Sequence, residues 1–309
     1  MKYPIDKELS PFCYITPPIR SPRLAGFLGS LLKTPKRIFR DPEICVRREW
    51  ISGYGDGTIE VLIYEPKAYV IDLPTLIYYH GGGFFFGASW HHYDLAKIYT
   101  LNTPARVVFV QYRLAPKHPH PIPSEDCYAA YKWVYENAEL LNIDRKRIGV
   151  GGDSAGGALA AAVCQMARDR SFPTPIFQML VYPVTDRRMD TESNRLYTDT
   201  PMWNSRLSKM MWQGYVPDVS ADNIQYASPM EAVRFDGLPD AYVEVAEYDC
   251  LSDEGLNYAN ALREGGARVT VNKTVGTMHG FDVVTGAKVS GEAIRTRVNA
   301  LKKGLWGNE

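Results

Sequence analysis

The run Gly151-Gly152-Asp153-Ser154-Ala155-Gly156-Gly157 constrains this chain more than any other stretch. Before it, residues 147–151 (Arg-Ile-Gly-Val-Gly) read as a short buried strand. After it, residues 155–167 are small and helix-forming, with Leu159, Val163 and Met166 at helical spacing. The strand must therefore meet the helix in a sharp turn on Asp153 and Ser154. Glycine at positions 152 and 156 removes the Cβ atoms that would collide there, and the serine hydroxyl is held out above the sheet edge. The following helix aims its unpaired N–H groups and the positive end of its dipole at the same place, where developing negative charge is stabilised. A phosphate-binding glycine turn or a plain strand-to-helix connection shares this local pattern, so the rest of the chain has to decide.

Upstream, residues 73–79 (Leu-Pro-Thr-Leu-Ile-Tyr-Tyr) have the content of a strand and run straight into His80-Gly81-Gly82-Gly83-Phe84. Consecutive glycines cost conformational entropy, and their usual use is to let backbone N–H groups approach a ligand closely. Gly82 and Gly83 are candidate oxyanion donors together with the amide of Ala155. His80 sits on the wrong side of the glycines to contact Ser154 and reads as a hydrogen-bonding residue that shapes the loop. A flexible surface loop is the bland alternative.

A serine nucleophile needs a base, and there are six histidines. His91 and His92 open a segment that reads as a surface helix. His118 and His120 lie in a stiff proline-rich loop over residues 115–123. His279 differs: residues 267–275 read as a strand and residues 276–280 as the loop beyond its C-terminal end, the edge of a parallel sheet where functional groups collect. Residues 241–246 read as another strand, and Asp249 follows it. Asp253 and Glu254 suit instead the first turn of the next helix. Candidate nucleophile, acid and base thus run in the order Ser154, Asp249, His279.

Strands are expected near residues 45–51, 58–65, 73–79, 106–112, 147–151, 176–182, 241–246 and 267–275, and helices near 92–101, 125–141, 155–168, 253–264 and 286–305. Early strands in succession, then strand and helix in alternation, indicate an α/β fold whose mostly parallel sheet has an antiparallel start. Residues 1–44 and 186–225 break the alternation. The first carries Leu24, Phe27, Leu28, Leu31 and Leu32 at helical spacing, and the second carries Met202, Trp203, Met210, Met211, Trp212 and Tyr215. Both are expected to form a cap over Ser154, with residues 45–185 and 226–309 as the catalytic domain. Phe84, Phe85, Met202, Trp203 and Met211 are candidate pocket-lining residues; packing of the insertion onto the core is the competing role for each. Crowding by Phe84, Phe85 and Phe86 points to short or medium acyl groups.

The blocks His80-Gly-Gly-Gly-Phe84, Tyr112-Arg-Leu-Ala-Pro116, Gly152-Asp-Ser-Ala-Gly-Gly157, Ala227-Ser-Pro229, Asp249-Cys-Leu-Ser-Asp-Glu254 and His279-Gly-Phe281 together resemble the hormone-sensitive lipase family of α/β-hydrolases, which includes many bacterial carboxylesterases. The resemblance runs from about residue 45 to the end. It implies an α/β-hydrolase fold with a mostly parallel eight-stranded sheet, flanking helices and a helical cap. It further implies Ser154 as nucleophile, Asp249 as acid, His279 as base, and Gly82, Gly83 and Ala155 as oxyanion donors. The implied activity is hydrolysis of small carboxylic esters through an acyl-enzyme, with no cofactor and no metal. An amide or peptide acyl hydrolase on the same triad, and a non-catalytic ligand-binding relative, are the alternatives. Cys250 stands where the family commonly has proline.

Composition fits a chain with one large core: 309 residues at 45% hydrophobic content. Lys plus Arg equals Asp plus Glu at 35 each, so no global charge argues for nucleic acid. The five cysteines are scattered without metal spacing, no secretory pattern opens the chain and no apolar run is long enough to cross a bilayer. A cytoplasmic protein without stable membrane anchoring is expected; a homodimer stays open. Residues 20–40 carry Arg20, Arg23, Lys33, Lys36, Arg37 and Arg40 and no acidic residue. Such a segment can lie on anionic lipid, attract acidic substrates, or be a cap helix with its charges in solvent, and the last is the reading preferred on sequence.

Overall fold

The computed structural model describes residues 2–16, 19, 21–68, 73–218 and 222–307. Arg20 of the basic segment and residues 219–221 of the insertion lie outside the described residues. In chain order the elements are α1 (Pro22–Ser30), β1 (Ile44–Ser52), β2 (Thr58–Pro66), β3 (Leu73–Tyr79), α2 (Trp90–Asn102), β4 (Arg106–Gln111), α3 (Ile122–Glu136), β5 (Ile143–Asp153), α4 (Ala155–Asp169), β6 (Phe177–Val181), α5 (Glu192–Leu196), α6 (Ser205–Tyr215), β7 (Asp240–Tyr248), α7 (Ser252–Glu264), β8 (Val269–Met278) and α8 (Lys288–Trp306). The strands form one sheet in the order β1-β2-β4-β3-β5-β6-β7-β8. β1 and β2, and β2 and β4, pair antiparallel; all later pairs are parallel.

The central strands are apolar on both faces because helices cover both. Along β3 and β4, Leu76, Tyr78, Val107 and Phe109 enter the core under α2 and α8, while Ile77, Tyr79, Val108 and Val110 enter the core under α3, α4 and α7. This period-two division of uninterrupted apolar runs is what a sheet buried on two sides requires. Each fully buried Leu, Ile or Val contributes about 1.5–3 kcal/mol. α4 follows the same logic in helical form: Ala155 to Ala167 are all buried.

Element boundaries differ from the sequence expectation where tertiary contacts intervene. α3 begins at Ile122 with proline in its first turn, a residue already shaped for that position, and ends at Glu136. β8 continues through Gly276, at φ 69°, as far as Met278, because it stays paired with β7. The helix starting at Trp90 is not a surface helix at its start: His91 and His92 are buried, since acidic side chains under that turn hold them.

The two segments outside the alternation touch each other. A Cβ on Gly214 of α6 would come within 2.8 Å of Pro22 in α1 and 2.7 Å of Phe85. The Met202 N–H donates to the Ile15 carbonyl at 2.7 Å, and Lys2 pairs with Asp199. Glu254, at the start of α7, accepts the N–H groups of Thr185 and Asp186 and the Asn194 amide, which pins the root of the insertion to the domain below.

Candidate active site

β3 and β5 are neighbours near the middle of the sheet, so the loops leaving their C-terminal ends meet above the sheet edge. One is the turn at Ser154; the other is His80 to Gly83. Ser154 adopts φ 55° and ψ −119°, a conformation outside the regions open to ordinary residues. Its N–H donates to the Val181 carbonyl at 2.8 Å, and its carbonyl accepts from Val184 at 3.1 Å, so the turn is clamped by the end of β6. The close approach demands glycine at position 156, where a Cβ would lie 1.9 Å from the Tyr79 carbonyl oxygen.

Asp249 and His279 become neighbours through sheet register. A shift between Ala246 and Tyr248 lets Tyr248 pair with Met278, so the next residue on each strand emerges beside the other. His279 Nδ1 lies 2.7 Å from Asp249 Oδ2, and His279 Nε2 lies 2.9 Å from Ser154 Oγ. Asp249 is fully buried and its other oxygen accepts the Leu251 N–H at 3.0 Å. A carboxylate only accepts, so Nδ1 carries the ring proton and donates it to Asp249 as a hydrogen bond, which leaves Nε2 free to accept from the serine hydroxyl.

Ser154 and His279 open onto a cavity of about 380 Å³. Gly82 and Gly83 form part of its wall, as do Phe86, Met202, Trp203 and Val283. Gly82 has φ 118° and Gly83 has φ 57°. Trp203 lies over both halves of the site: a Cβ on Gly83 would be 2.7 Å from its ring, and its ring centre is 6.1 Å from that of His279. Ala155 is the first residue of α4, so its N–H belongs to the turn that has no intrahelical acceptor.

Residues 76–283 match the family described as alpha/beta hydrolase fold. The chain is an alpha/beta hydrolase. It belongs to the hormone-sensitive-lipase-like branch that its sequence blocks resemble. Carboxylesterase NlhH of Mycobacterium tuberculosis is 34% identical over 278 residues, covering 89% of this chain and 86% of the relative. Esterase LipI of the same organism is 34% identical and covers 81% of this chain and 80% of its own. Among solved structures, a bacterial heroin esterase superposes with a TM-score of 0.89 at 31% identity, covering 99% of each chain. An ester-hydrolase from the metagenome of Lake Arreo reaches 0.80 at 35% identity, covering 91% of this chain and 88% of its own.

In this alpha/beta hydrolase the residue before the serine has a structural task that sequence reading missed. The Asp153 carboxylate is buried and accepts the Tyr78 hydroxyl at 2.6 Å and the Gly81 N–H at 3.1 Å, with the His92 ring at 3.1 Å. Burial alone would raise its pKa, but the His92 ring beside it and the Tyr78 hydroxyl hold it down to about 2. His80, as expected, shapes the loop. Its Nδ1 donates to the Gly81 carbonyl at 2.7 Å and its ring stacks on Tyr112 at 4.5 Å; burial pushes its pKa down to about 4.

Three candidate lining residues stand elsewhere. Phe84, Phe85 and Met211 are fully buried in the core and do not border the cavity. Phe84 has φ 62°, which turns its ring inward to stack on Tyr215 at 3.6 Å, and Phe85 packs under Gly214. Of that aromatic run Phe86 faces the cavity, joined by Leu32 and Trp90, which no motif marks. Met202 and Trp203 do line it.

Behind His279, the ring of Tyr182 meets it edge-on at 4.7 Å, and the Tyr182 hydroxyl donates to Asp282 at 2.7 Å. Asp282 and Glu244 both receive the fully buried guanidinium of Arg297 from α8.

Proposed function

We propose that this chain is a serine carboxylesterase acting on esters with short to medium acyl chains. The observation that carries the reading is the unbroken hydrogen-bonded line from Ser154 through His279 to Asp249 beside an apolar cavity. The named esterases among its relatives support the reaction class.

In this reading His279 Nε2 takes the Ser154 proton as Oγ attacks the ester carbonyl, and Asp249 holds the ring in the required tautomer and steadies the imidazolium. The N–H groups of Gly82, Gly83 and Ala155 receive the negative oxygen of the tetrahedral intermediate. Collapse breaks the bond to the alcohol oxygen, which takes the proton from His279 Nε2 and leaves as the alcohol, so that Nε2 is free again. Water then gives a proton to His279 and adds to the acyl-enzyme; its collapse releases the acid and returns the proton to Ser154.

Residues 1–44 and 186–225 act together as the cap in this proposal, with Trp203 and Met202 as its contribution to the pocket. A cavity of about 380 Å³ suits small ligands and supports the acyl-length assignment. Cytoplasmic location belongs to the proposal as well, supported by five cysteines that are all free thiols.

Initial rates of purified protein on p-nitrophenyl esters from acetate to palmitate, with Ser154→Ala as control, test the reading. An optimum at short or medium chains that vanishes in the variant is the expected result. Turnover of matched amides without turnover of any ester would replace it with the amide-hydrolase alternative.

A further inference from the structure

α1 (Pro22–Ser30) is seated on the molecule by its small residues. Ala25 is fully buried, a Cβ on Gly26 would come within 2.5 Å of Pro116, and one on Gly29 within 1.9 Å of the Phe85 carbonyl oxygen. The helix backbone therefore lies directly on the loop that follows Gly83. Its large apolar side chains point the other way: Leu24, Phe27 and Leu31 are 38%, 63% and 60% exposed. These positions recur at i, i+3 and i+7 and share one helix face. A helix serving only to close the interior would bury them instead. Leu32 and Trp90, each 46% exposed, carry the apolar surface on to the mouth of the cavity that holds Ser154.

Charge identifies what this face fits. Residues 21–40 contain Arg23, Lys33, Lys36, Arg37 and Arg40 and no acidic residue, in a chain of zero formal net charge. Arg37 pairs with Asp94 at 3.3 Å, whereas among the described residues no carboxylate pairs with Arg23, Lys33, Lys36 or Arg40. An apolar helix face bordered by uncompensated cations is complementary to a surface that is apolar within and anionic at its plane.

We propose that the outer face of α1, with the basic stretch after it, docks the protein reversibly on anionic lipid bilayers, bringing the cavity mouth to the interface so that bilayer-dissolved esters reach Ser154. The docking itself stands on surface geometry and charge; only the delivery of substrate rests on the esterase reading. A single short apolar face with a basic patch supports reversible adsorption rather than anchoring.

Vesicle flotation reads the docking without using activity. Ser154→Ala protein is expected to float with vesicles containing about one third phosphatidylglycerol and not with pure phosphatidylcholine vesicles. Salt near 1 M, where screening acts within about 3 Å, should release it. Two double variants, Leu24→Ser with Leu31→Ser and Lys33→Glu with Lys36→Glu, should each lower partitioning by about tenfold or more. Both should hydrolyse p-nitrophenyl acetate within about twofold of wild type, because these side chains are exposed and outside the catalytic cavity. Absence of flotation on anionic vesicles, equal flotation on neutral ones, or indifference to both double variants overturns the proposal. So does light scattering that finds a dimer converted to monomer by Leu24→Ser with Leu31→Ser, since a second copy would then cover the face. Flotation combined with a wild-type protein that hydrolyses no ester would leave the docking intact and remove the esterase reading.

Discussion

Nε2 of His92 lies 3.1 Å from Asp153 Oδ2, joining the first turn of α2 to the residue before Ser154. The Ser89 backbone N–H donates to the other ring nitrogen, Nδ1, at 2.9 Å. A backbone N–H can only donate, so Nδ1 is bare and the proton sits on Nε2, directed at Asp153. The same carboxylate holds the Gly81 N–H, so one anion ties together the serine turn, the glycine loop and α2.

Asp153→Asn keeps an acceptor for Tyr78 and Gly81 but turns an amide donor toward the His92 proton. The glycine loop should loosen. Turnover of p-nitrophenyl butyrate is expected to fall by about tenfold to a hundredfold, less than the 10²–10³ lost with a whole oxyanion donor, while KM stays within about threefold. Unchanged kcat would show that the carboxylate does not position the loop.

Ser154→Ala should lower turnover by on the order of 10⁴ to 10⁶. Asp249→Asn, which keeps the shape but presents the wrong tautomer to Ser154, should cost about 10⁴. Ser154→Ala retaining activity within tenfold of wild type would mean that another group attacks the ester, and Asp249→Asn retaining it would mean that Asp249 does not orient His279.

Trp203, only 6% exposed, roofs Gly83 and His279. Trp203→Ala is expected to move the acyl-length optimum toward longer chains and to lower stability by about 3–5 kcal/mol. An unchanged chain-length profile in thermally destabilised protein would limit Trp203 to packing.

Arg297 is fully buried between Glu244 and Asp282. Arg297→Leu strands two buried carboxylates, and denaturant unfolding should report a loss of about 3–5 kcal/mol. Because Asp282 also receives the Tyr182 hydroxyl beside His279, kcat should fall as well.

Acid should remove stability in two windows. His80 is held neutral, with its pKa pushed by burial from 6.5 down to about 4. As pH falls through 6.5 the unfolded chain takes up a proton that the folded chain refuses, and about 3 kcal/mol is lost by pH 4. Asp153 acts lower, its pKa depressed from 3.8 to about 2: protonation of the unfolded chain below 3.8 removes roughly 2 kcal/mol more by pH 2. Urea titrations at stepped pH should lose the first window in His80→Phe and the second in Asp153→Asn.

Much of this protein is legible from consecutive residues. Short runs rich in β-branched and aromatic residues mark the strands, and the glycines around Ser154 and after His80 mark loops whose backbone must approach something closely. Ser154, Asp249 and His279 each follow a strand, which is enough to name them as candidates. These signals are local: propensity, turn chemistry and side-chain period depend on neighbours in sequence. Tertiary structure alone decides the rest. The pairing of Tyr248 with Met278 brings Asp249 beside His279, and no property of either segment by itself sets that register. A positive φ at Phe84 sends its ring into the core, away from the cavity, and leaves Phe86 on the wall. Burial of His92 depends on Asp153, 61 residues further along the chain. Which side of a loop or helix faces a pocket is set by backbone geometry and by partners distant in sequence, and neither is written in the order of the residues that present it.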